Sequence, residues 1–398
     1  MSDGPGPALY HHGSHQNLLW SPADPVLARP GIHGIFVPTA RPPAYLIAVA
    51  KLAVALECPL ITMHSGKWTS ATRTATRLRS EWALKDLDLI AIDVPASTEL
   101  RLPHWQTTQA LAGTALARRT DVSAKRNLAL LLSHLLDWSR ILFVDDDIIE
   151  LDREDVLDAS GLLSSYNAVG LRVGGMPDNS VVCHAYREAG GQQQTFIGGG
   201  ALAIAVDRCD SFFPDIYNED WFFLLDGKGS LQLTAATGDV RQYPYDPFRN
   251  PERARAEEFG DVLAEGIYWL LDQGGSITDA DEKHWSSYLK VRRQFITDVL
   301  DMVRTMAAES AKDIAEKERM IAALKGAAGR LTLITPTLCE DYLRAWSADR
   351  RRWHRHIKQL DGGGMSRTRA LSLLTKPDAP KLVWEVNRWR RQRQEICG

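Results

Sequence analysis

The chain has 398 residues, of which 24% are charged and 44% hydrophobic, and its formal net charge is −3. This composition is typical of a globular protein and argues against a disordered or fibrous chain, and the length allows one large domain with a smaller one, or two domains. The slightly negative charge gives no reason to expect nucleic acid as a partner.

The five cysteines are widely scattered and include no CxxC pair. Such spacing argues against a disulfide framework and a zinc site, and it is typical of a reducing compartment. Residues 1–16 lack the basic region and apolar core of a signal peptide, and no apolar stretch is long enough to span a bilayer. We therefore expect a cytoplasmic protein.

Residues 1–30 are rich in Gly, Pro and His, which predicts a loose N-terminal arm. Three short apolar runs follow, and helical stretches separate them. This alternation is typical of βαβ units, so we expect an α/β protein with a parallel sheet. The three runs lie at residues 31–37, 59–63 and 87–94.

The first run ends in the sequence PTARPP, residues 38–43. Pro42 and Pro43 stop a strand and can occupy the first turn of a helix. We therefore predict a helix from Ala44 to about Leu56.

A further helix is predicted to begin near Asp121 and Ser123, whose side chains can cap it, and to continue through LALLLSHLLDW. Lys125 and Arg126 lie in its first turn. Because a helix N-terminus carries partial positive charge, this end and its two cations would favour a bound diphosphate. A surface basic pair is the alternative interpretation.

The chain is organised around RILFVDDDIIE, residues 140–150, in which a buried apolar strand runs directly into Asp145, Asp146 and Asp147. Ligands of open α/β sheets bind beyond the carboxyl ends of the strands. Three adjacent carboxylates repel one another, so a cation or a network of donors should offset that cost. Oxygen ligands suit Mg²⁺ or Mn²⁺. A solvated acidic turn that caps the next helix is the alternative.

Three glycines, Gly198, Gly199 and Gly200, permit a close approach of the backbone to a ligand. The polar segment of residues 190–195 predicts a mobile loop before them. No GxGxxG or P-loop pattern is present. The other predicted elements here are a helix at residues 152–165 and strands at residues 168–173 and 201–206.

Glu219 and Asp220 are adjacent acids embedded among aromatic residues. Such a pair is costly unless it is used in chemistry or paired with cations. A helix-capping role is the alternative.

Residues 227–265 are rich in turn residues, and the chain becomes helical from Gly260 onward. Apolar residues repeat at helical spacing over residues 291–324, which predicts a core-facing helix or helix pair. Arg and Trp are interleaved in the basic segments at residues 350–356 and 388–393. Such segments suit an anionic membrane or nucleic acid, while a solvated helical face or a subunit contact is the favoured interpretation.

Four ordered motifs resemble the GT-A fold glycosyltransferases, especially bacterial, non-processive members of the large, mostly inverting class that includes cellulose and chitin synthases. The motifs are VPTARP, KRNLAL, FVDDDI, and GGGALAIAV followed by NEDWFF. The resemblance covers roughly residues 31–225 and implies a Rossmann-like, mostly parallel sheet flanked by helices. No QxxRW motif follows, so polymer synthesis is not expected. The implied division is an arm at 1–30, a catalytic domain at 31–258 whose nucleotide-sugar half ends near 150 and whose acceptor half spans 151–258, and a helical region at 259–398.

The resemblance also implies roles for individual residues. Asp145 and Asp147 correspond to the DxD pair that holds Mn²⁺ or Mg²⁺, with Asp147 as the direct ligand. Asp220 corresponds to the general base, and Glu219 beside it contacts or orients the acceptor. The implied donor-binding residues are Pro38, Thr39, Arg41, Asp93, Lys125, Arg126, Asp145 and Asp146, and the implied acceptor-binding residues are Gly198, Gly199, Gly200 and Trp221.

The implied partners are a UDP- or GDP-sugar donor and a hydroxyl-bearing acceptor. Where such enzymes carry an acidic turn after the second strand, this chain has His64-Ser65-Gly66-Lys67. The resemblance therefore does not choose between the two nucleobases.

Two other functions stay open. A phosphohydrolase of the haloacid dehalogenase type would use Asp145 and Asp147, although its acidic motif normally follows the first strand and here three strand-like runs precede it. A non-catalytic protein would bind an anionic membrane or nucleic acid through its basic C-terminus, and salt-sensitive binding would support it.

Overall fold

A computed structural model describes residues 16–20, 28–174, 180–191, 197–360, 363–380 and 382–387. They form one nine-stranded sheet with helices packed against it. The strands are β1 (Gly34–Thr39), β2 (Leu60–His64), β3 (Leu89–Asp93), β4 (Arg140–Val144), β5 (Ile148–Leu151), β6 (Ala168–Gly174), β7 (Ala201–Ala205), β8 (Thr234–Gln242) and β9 (Val383–Asn387).

The strand order is β5-β8-β6-β7-β4-β1-β2-β3-β9. The block β4-β1-β2-β3 is parallel throughout, and its strands are almost wholly buried, as expected for apolar runs in the centre of an α/β sheet. Parallel strands end at the same sheet edge, so Thr39, His64, Asp93 and the acidic triplet lie along one edge. The predicted α/β class is confirmed.

The other half of the sheet is mixed. β7 runs antiparallel to both β4 and β6, whereas β6 and β8 are parallel. The turn-rich prediction for residues 227–265 is wrong over β8, because the short side chains of TAATG do not give the alternating apolar pattern of a strand. Strand β5, which comes directly after the three acids in the chain, was also not predicted.

The helices are α1 (Ile47–Ala55), α2 (Ala71–Thr76), α3 (Gln106–Leu111), α4 (Val122–Leu136), α5 (Arg153–Leu162), α6 (Val181–Glu188), α7 (Glu219–Phe223), α8 (Pro251–Asp272), α9 (Glu282–Thr305), α10 (Ala311–Leu331), α11 (Pro336–Gln359) and α12 (Arg367–Ser372). The predicted pair over 291–324 corresponds to α9 and α10, which a Ser310 capping box separates. α8 begins nine residues before Gly260, at Pro251, because Asn250 caps it and proline suits the first helical position.

The C-terminal helical region is continuous with the sheet. One cluster of buried apolar side chains includes Phe143 of β4, Phe222 of α7 and Trp346 of α11. The chain then returns to the sheet, where β9 pairs antiparallel with β3. Within the described ranges, no helix is long and apolar enough to cross a membrane.

Candidate functional site

The loop after β1 contacts the second acid of the triplet. Thr39 donates a 2.6 Å hydrogen bond from Oγ1 to Asp146 Oδ2, and Arg41 Nη1 lies 3.1 Å from Asp146 Oδ1. Thr39 Oγ1 also accepts a hydrogen bond from the Arg41 amide. The structure therefore brings together three of the predicted donor-binding residues, and Asp146 supports the loop.

Asp147 is buried, with 9% of its side chain exposed. Its Oδ2 accepts a 3.0 Å hydrogen bond from Gln242 Nε2 and lies 3.0 Å from Arg41 Nη1. Its Oδ1 is also buried but has no hydrogen-bond partner in the described structure. A buried carboxylate oxygen without a partner is costly, and a cation can satisfy it.

Arg126 joins the acidic triplet to the second acidic motif. Its Nη2 donates to Asp145 Oδ1 over 2.9 Å, and its Nη1 donates to Glu219 Oε1 over 2.6 Å. Arg118 pairs with the other Glu219 oxygen. Burial opposes ionisation of Glu219, but the two arginines outweigh burial and lower its pKa. Burial and the neighbouring acids Asp147 and Asp146 raise the pKa of Asp145 to about 6 despite Arg126.

Asp220 is half-buried, whereas Glu219 is only 5% exposed. Asp220 Oδ2 accepts a 2.6 Å hydrogen bond from the Gly199 amide, and its Oδ1 accepts one from the Trp221 amide. Burial and the negative charge of Glu219 raise its pKa, although Arg126 and the two amides act in the opposite direction. Asp220 is thus the more accessible acid with the higher affinity for a proton.

The N-terminus of α4 lies against the ends of β1 and β2. Lys125 is buried and donates to the Thr39 carbonyl over 2.9 Å and to Ser65 Oγ over 2.6 Å. The predicted cap is different in the structure: Asp121 makes no capping hydrogen bond and pairs instead with Lys125, while Ser123 donates to the Pro214 carbonyl. The first-turn amides of α4 thus lack a side-chain cap.

The glycines make room for the charged groups. A Cβ atom on Gly199 would lie 2.4 Å from the Arg126 guanidinium carbon, and one on Gly200 would lie 3.4 Å from Asp145 Oδ2. Gly198 and Gly200 also line the cavity described next. Gly199 therefore accommodates Arg126, whereas a Cβ atom on Gly200 would make an ordinary van der Waals contact.

Two cavities meet at this edge of the sheet. One, of about 360 Å³, has Asp145, Glu219 and Asp220 on its walls. The other, of about 500 Å³, lies over the ends of β2 and β3 beside the α4 N-terminus. Both include Thr120 in their walls, so they are neighbours along this edge, and we refer to the pair as the cleft.

Several predicted contact residues line neither cavity. Trp221 is 1% exposed and its ring packs against Tyr268, so it lies in the core. Pro38 is buried inside β1, where it pairs with Met63. Asp93 accepts a hydrogen bond from the Ala71 amide, at the start of α2.

His64, which stands where the resembling enzymes have an acidic turn, is a buried core residue. Its ring nitrogens lie 2.8 Å from the hydroxyls of Thr62 and Thr69. Burial, together with the charge of Lys125, lowers its pKa to about 3, so the ring is neutral. Ser65, the next residue, lines the larger cavity.

Four residues of the site were missed by sequence reasoning. Arg118, Gln242, Tyr245 and Arg253 all line the smaller cavity. Each stands outside any motif, and Gln242 lies 95 residues from the Asp147 it binds. Only the prolines and aromatics of YPYDPFRNP mark the neighbourhood of Tyr245, and they predict turns.

The first basic C-terminal segment lies on α11, where Trp353 is buried and its ring is tilted against that of Trp105. Arg350 pairs with Asp210, while Arg351 and Arg355 are exposed. The second basic segment, 388–393, and most of the predicted loop, 192–195, lie outside the described residues.

Among the described residues, no three His, Cys, Asp or Glu side chains converge in a geometry that could hold a metal by themselves. Mg²⁺ is commonly held by one or two carboxylates together with substrate phosphates, so a complete protein cage is not required for such a site.

Known proteins offer little sequence likeness. No protein-family model and no curated protein matches the chain. Eleven chains of solved structures match. Among them is the mannosyltransferase PcManGT from Pyrobaculum calidifontis in complex with GDP-Man and Mn²⁺, at 14% identity and a TM-score of 0.40, over 86% of this chain and 90% of that chain. A likeness of this size assigns no function.

Proposed function

We propose that the protein is a metal-dependent glycosyltransferase that moves a sugar from a nucleotide-sugar donor to a hydroxyl acceptor with inversion. The observation that carries this proposal is that Asp145 and Asp220 line one cavity, where Arg126 joins Asp145 to Glu219, the neighbour of Asp220. A donor-side acid and an acceptor-side base must face the same sugar, and this cavity offers both.

The acids fit a divalent cation. Asp147 has a buried carboxylate oxygen without a partner, and the Asp145 side chain is 36% exposed. Both offer the oxygen ligands that Mg²⁺ and Mn²⁺ prefer, so these two residues would hold the ion. When bound, the cation supplies charge stabilisation to the diphosphate as its bond to the sugar breaks.

The nucleotide would occupy the larger cavity. Ser123 and Ala124, in the first turn of α4, line it, and a helix N-terminus without a side-chain cap favours phosphate oxygens. Lys125 holds Thr39 and Ser65 in place beneath the cleft. Arg41, which is 40% exposed, is near enough to the acids to contact the diphosphate as well.

Asp220 would be the general base. A hydroxyl is a weak nucleophile, and a positioned base that takes its proton during attack contributes about 10²–10⁴-fold. The amides of Gly199 and Trp221 fix the carboxylate of Asp220. Glu219 is held by two arginines and is buried, so its role is to keep Arg126 in place.

Thermal-shift screening of UDP- and GDP-sugars, with Mn²⁺, with Mg²⁺ and with EDTA, tests the proposal. A donor at about 100 times its Kd should add about 2.7 kcal/mol to the free energy of unfolding, and only when the metal is present. Release of nucleoside diphosphate in the presence of an alcohol acceptor then tests transfer. If no nucleotide sugar shifts the midpoint with either cation, the proposal is wrong.

The phosphohydrolase alternative has less support. Its nucleophile would be Asp145, whose Oδ1 accepts a hydrogen bond from Arg126. The acidic strand is β4, the fourth along the chain, and it borders the antiparallel β7.

A further inference from the structure

A buried charge cluster lies behind the turn that carries Glu219 and Asp220. Arg292 of α9 is 1% exposed and contacts three carboxylates of α8. Such a group must be fully paired to be tolerated inside a protein. The three carboxylates are Glu258, Asp261 and Glu265.

Only one of these three carboxylates has a described contact with the turn. Asp261 Oδ1 accepts a 3.0 Å hydrogen bond from the side-chain amide of Asn218, the residue before Glu219. Its Oδ2 lies 3.1 Å from Arg292 Nη2, and Ser180 also donates to the carboxylate. Asp261 is therefore the link between the cluster and the turn.

Asn218 needs this support because its backbone is unusual. It has φ +61°, in the left-handed region, and it is the residue from which α7 begins. Asparagine is among the few side chains that adopt this conformation readily. The Asn218 carbonyl accepts the amides of Trp221 and Phe222, so its orientation sets the direction of the short helix that carries Asp220.

The backbone of α8 touches the same turn. A Cβ atom on Gly260 would lie 2.2 Å from the Tyr217 carbonyl oxygen. A backbone carbonyl cannot swing away as a long side chain can. Gly260 and Asp261 are consecutive, so one turn of α8 fixes both Tyr217 and Asn218.

We propose that Asp261, held by Arg292, is a positioning residue for the catalytic base, and that it acts through Asn218 on the turn that carries Asp220. This inference rests on the proposed function in so far as it calls Asp220 a catalytic base. The mechanical part, that Asp261 holds the turn, stands on the contacts alone.

The test compares Asp261→Asn with Glu258→Gln in the full chain. Both substitutions remove one buried carboxylate charge beside Arg292, but Glu258 has no described contact with the turn. Asn218 and Arg292 face different oxygens of Asp261, and an amide places an NH2 donor where one of those oxygens was, so Asp261→Asn cannot keep both contacts.

Amide hydrogen exchange over residues 216–224 measures the local stability of the turn without any substrate. Asp261→Asn should raise exchange there roughly tenfold relative to Glu258→Gln. Asn218→Gly permits the left-handed backbone and removes the side chain that bonds Asp261, although glycine also adds backbone freedom, and it should raise exchange in the same peptide even if Asp261→Asn fails to fold. Equal exchange in all three variants and the unmodified protein would overturn the proposal.

Transfer kinetics test whether Asp261 affects catalysis. Asp261→Asn should lower kcat by about 10²-fold, because a misplaced base loses its alignment, while the donor KM changes less than about threefold. Glu258→Gln should leave both near the values of the unmodified protein. A loss confined to donor KM, or an equal loss of kcat in both variants, would contradict positioning. If the unmodified protein transfers no sugar, the proposed function fails and the exchange contrast still decides the role of Asp261.

Discussion

At the scale of single residues, the acids at this edge of the sheet differ in the hydrogen-bond and ion-pair partners of their carboxylates. Asp146 is paired with Thr39 and Arg41, and Glu219 is paired with Arg118 and Arg126. Asp147 keeps one buried oxygen without a partner. The repulsion within the triplet is thus offset mainly by arginines. The unpaired oxygen of Asp147 is the position where a bound cation would contribute most stabilisation.

Asp147→Asn should weaken Mn²⁺-dependent binding of the donor about tenfold or more, because the amide removes a charged oxygen ligand while it keeps the shape. Calorimetric titration of a nucleotide sugar with and without Mn²⁺ measures this. Asp146→Asn is the matched control, since Asp146 is already paired with Thr39. Unchanged metal dependence in Asp147→Asn would remove this residue from the metal site.

Asp220→Asn should lower kcat by about 10²–10⁴-fold and leave donor binding within twofold, because an amide cannot accept the proton but can still accept the Gly199 hydrogen bond. Transfer assays and donor titration in parallel give the two values. Normal turnover in this variant would discard Asp220 as base and would favour retaining transfer.

The pH dependence of kcat follows from the raised pKa of Asp220, which burial and the charge of Glu219 cause. The base works in its ionised form, so activity should be present above the raised pKa and fall as pH drops through it. The decline should therefore begin at a higher pH than the ordinary aspartate value of 3.8 would give. A rate that stays constant down to that ordinary value would contradict the assignment, provided that donor binding is also constant.

At the scale of elements, Gly199 shows how a strand end and a helix share space. Gly199→Ala should destabilise the protein by about 1–3 kcal/mol, because its Cβ would lie 2.4 Å from an Arg126 held between Glu219 and Asp145. Gly329→Ala, in α10 with no atom within 4 Å, should instead stabilise by up to about 1 kcal/mol. Urea unfolding measures the change in the free energy of unfolding for both variants. Equal effects would show that the Arg126 side chain moves aside at little cost.

The elements that the sequence predicted correctly are those with strong local patterns. The runs LITM and ILFV fill buried parallel strands, and Asp145–Asp147 follow directly from ILFV. Trp221 was predicted to contact an acceptor and lies in the core, because aromatic residues beside acids suit both a ligand site and a core. Arg118 and Arg253 could not be found, since a lone arginine has no period or spacing and only the folded chain brings it to the acids.

At the scale of the whole molecule, the sheet and the C-terminal helices share one core. Phe222→Ala should cost about 3–5 kcal/mol, because this ring is fully buried and packs edge-on against Tyr342 and Trp346 of α11. Denaturant unfolding followed by far-UV circular dichroism should give one transition with a lower midpoint. Two separated transitions, of which only one moves, would indicate that sheet and helices unfold independently.

β9 has a consequence for how the protein is made. The outer neighbour of the apolar strand β3 (LIAID) is β9, which lies far along the chain. Asp88, directly before β3, pairs with Arg367, which is 279 residues later and still precedes β9. During translation at about 5–20 residues per second, β3 leaves the ribosome roughly 15–60 s before its partner exists. For that time its unpaired amide and carbonyl groups could recruit a strand from another nascent chain. We therefore expect the yield of correctly folded protein to depend on chaperones that shield this edge until β9 has been synthesised.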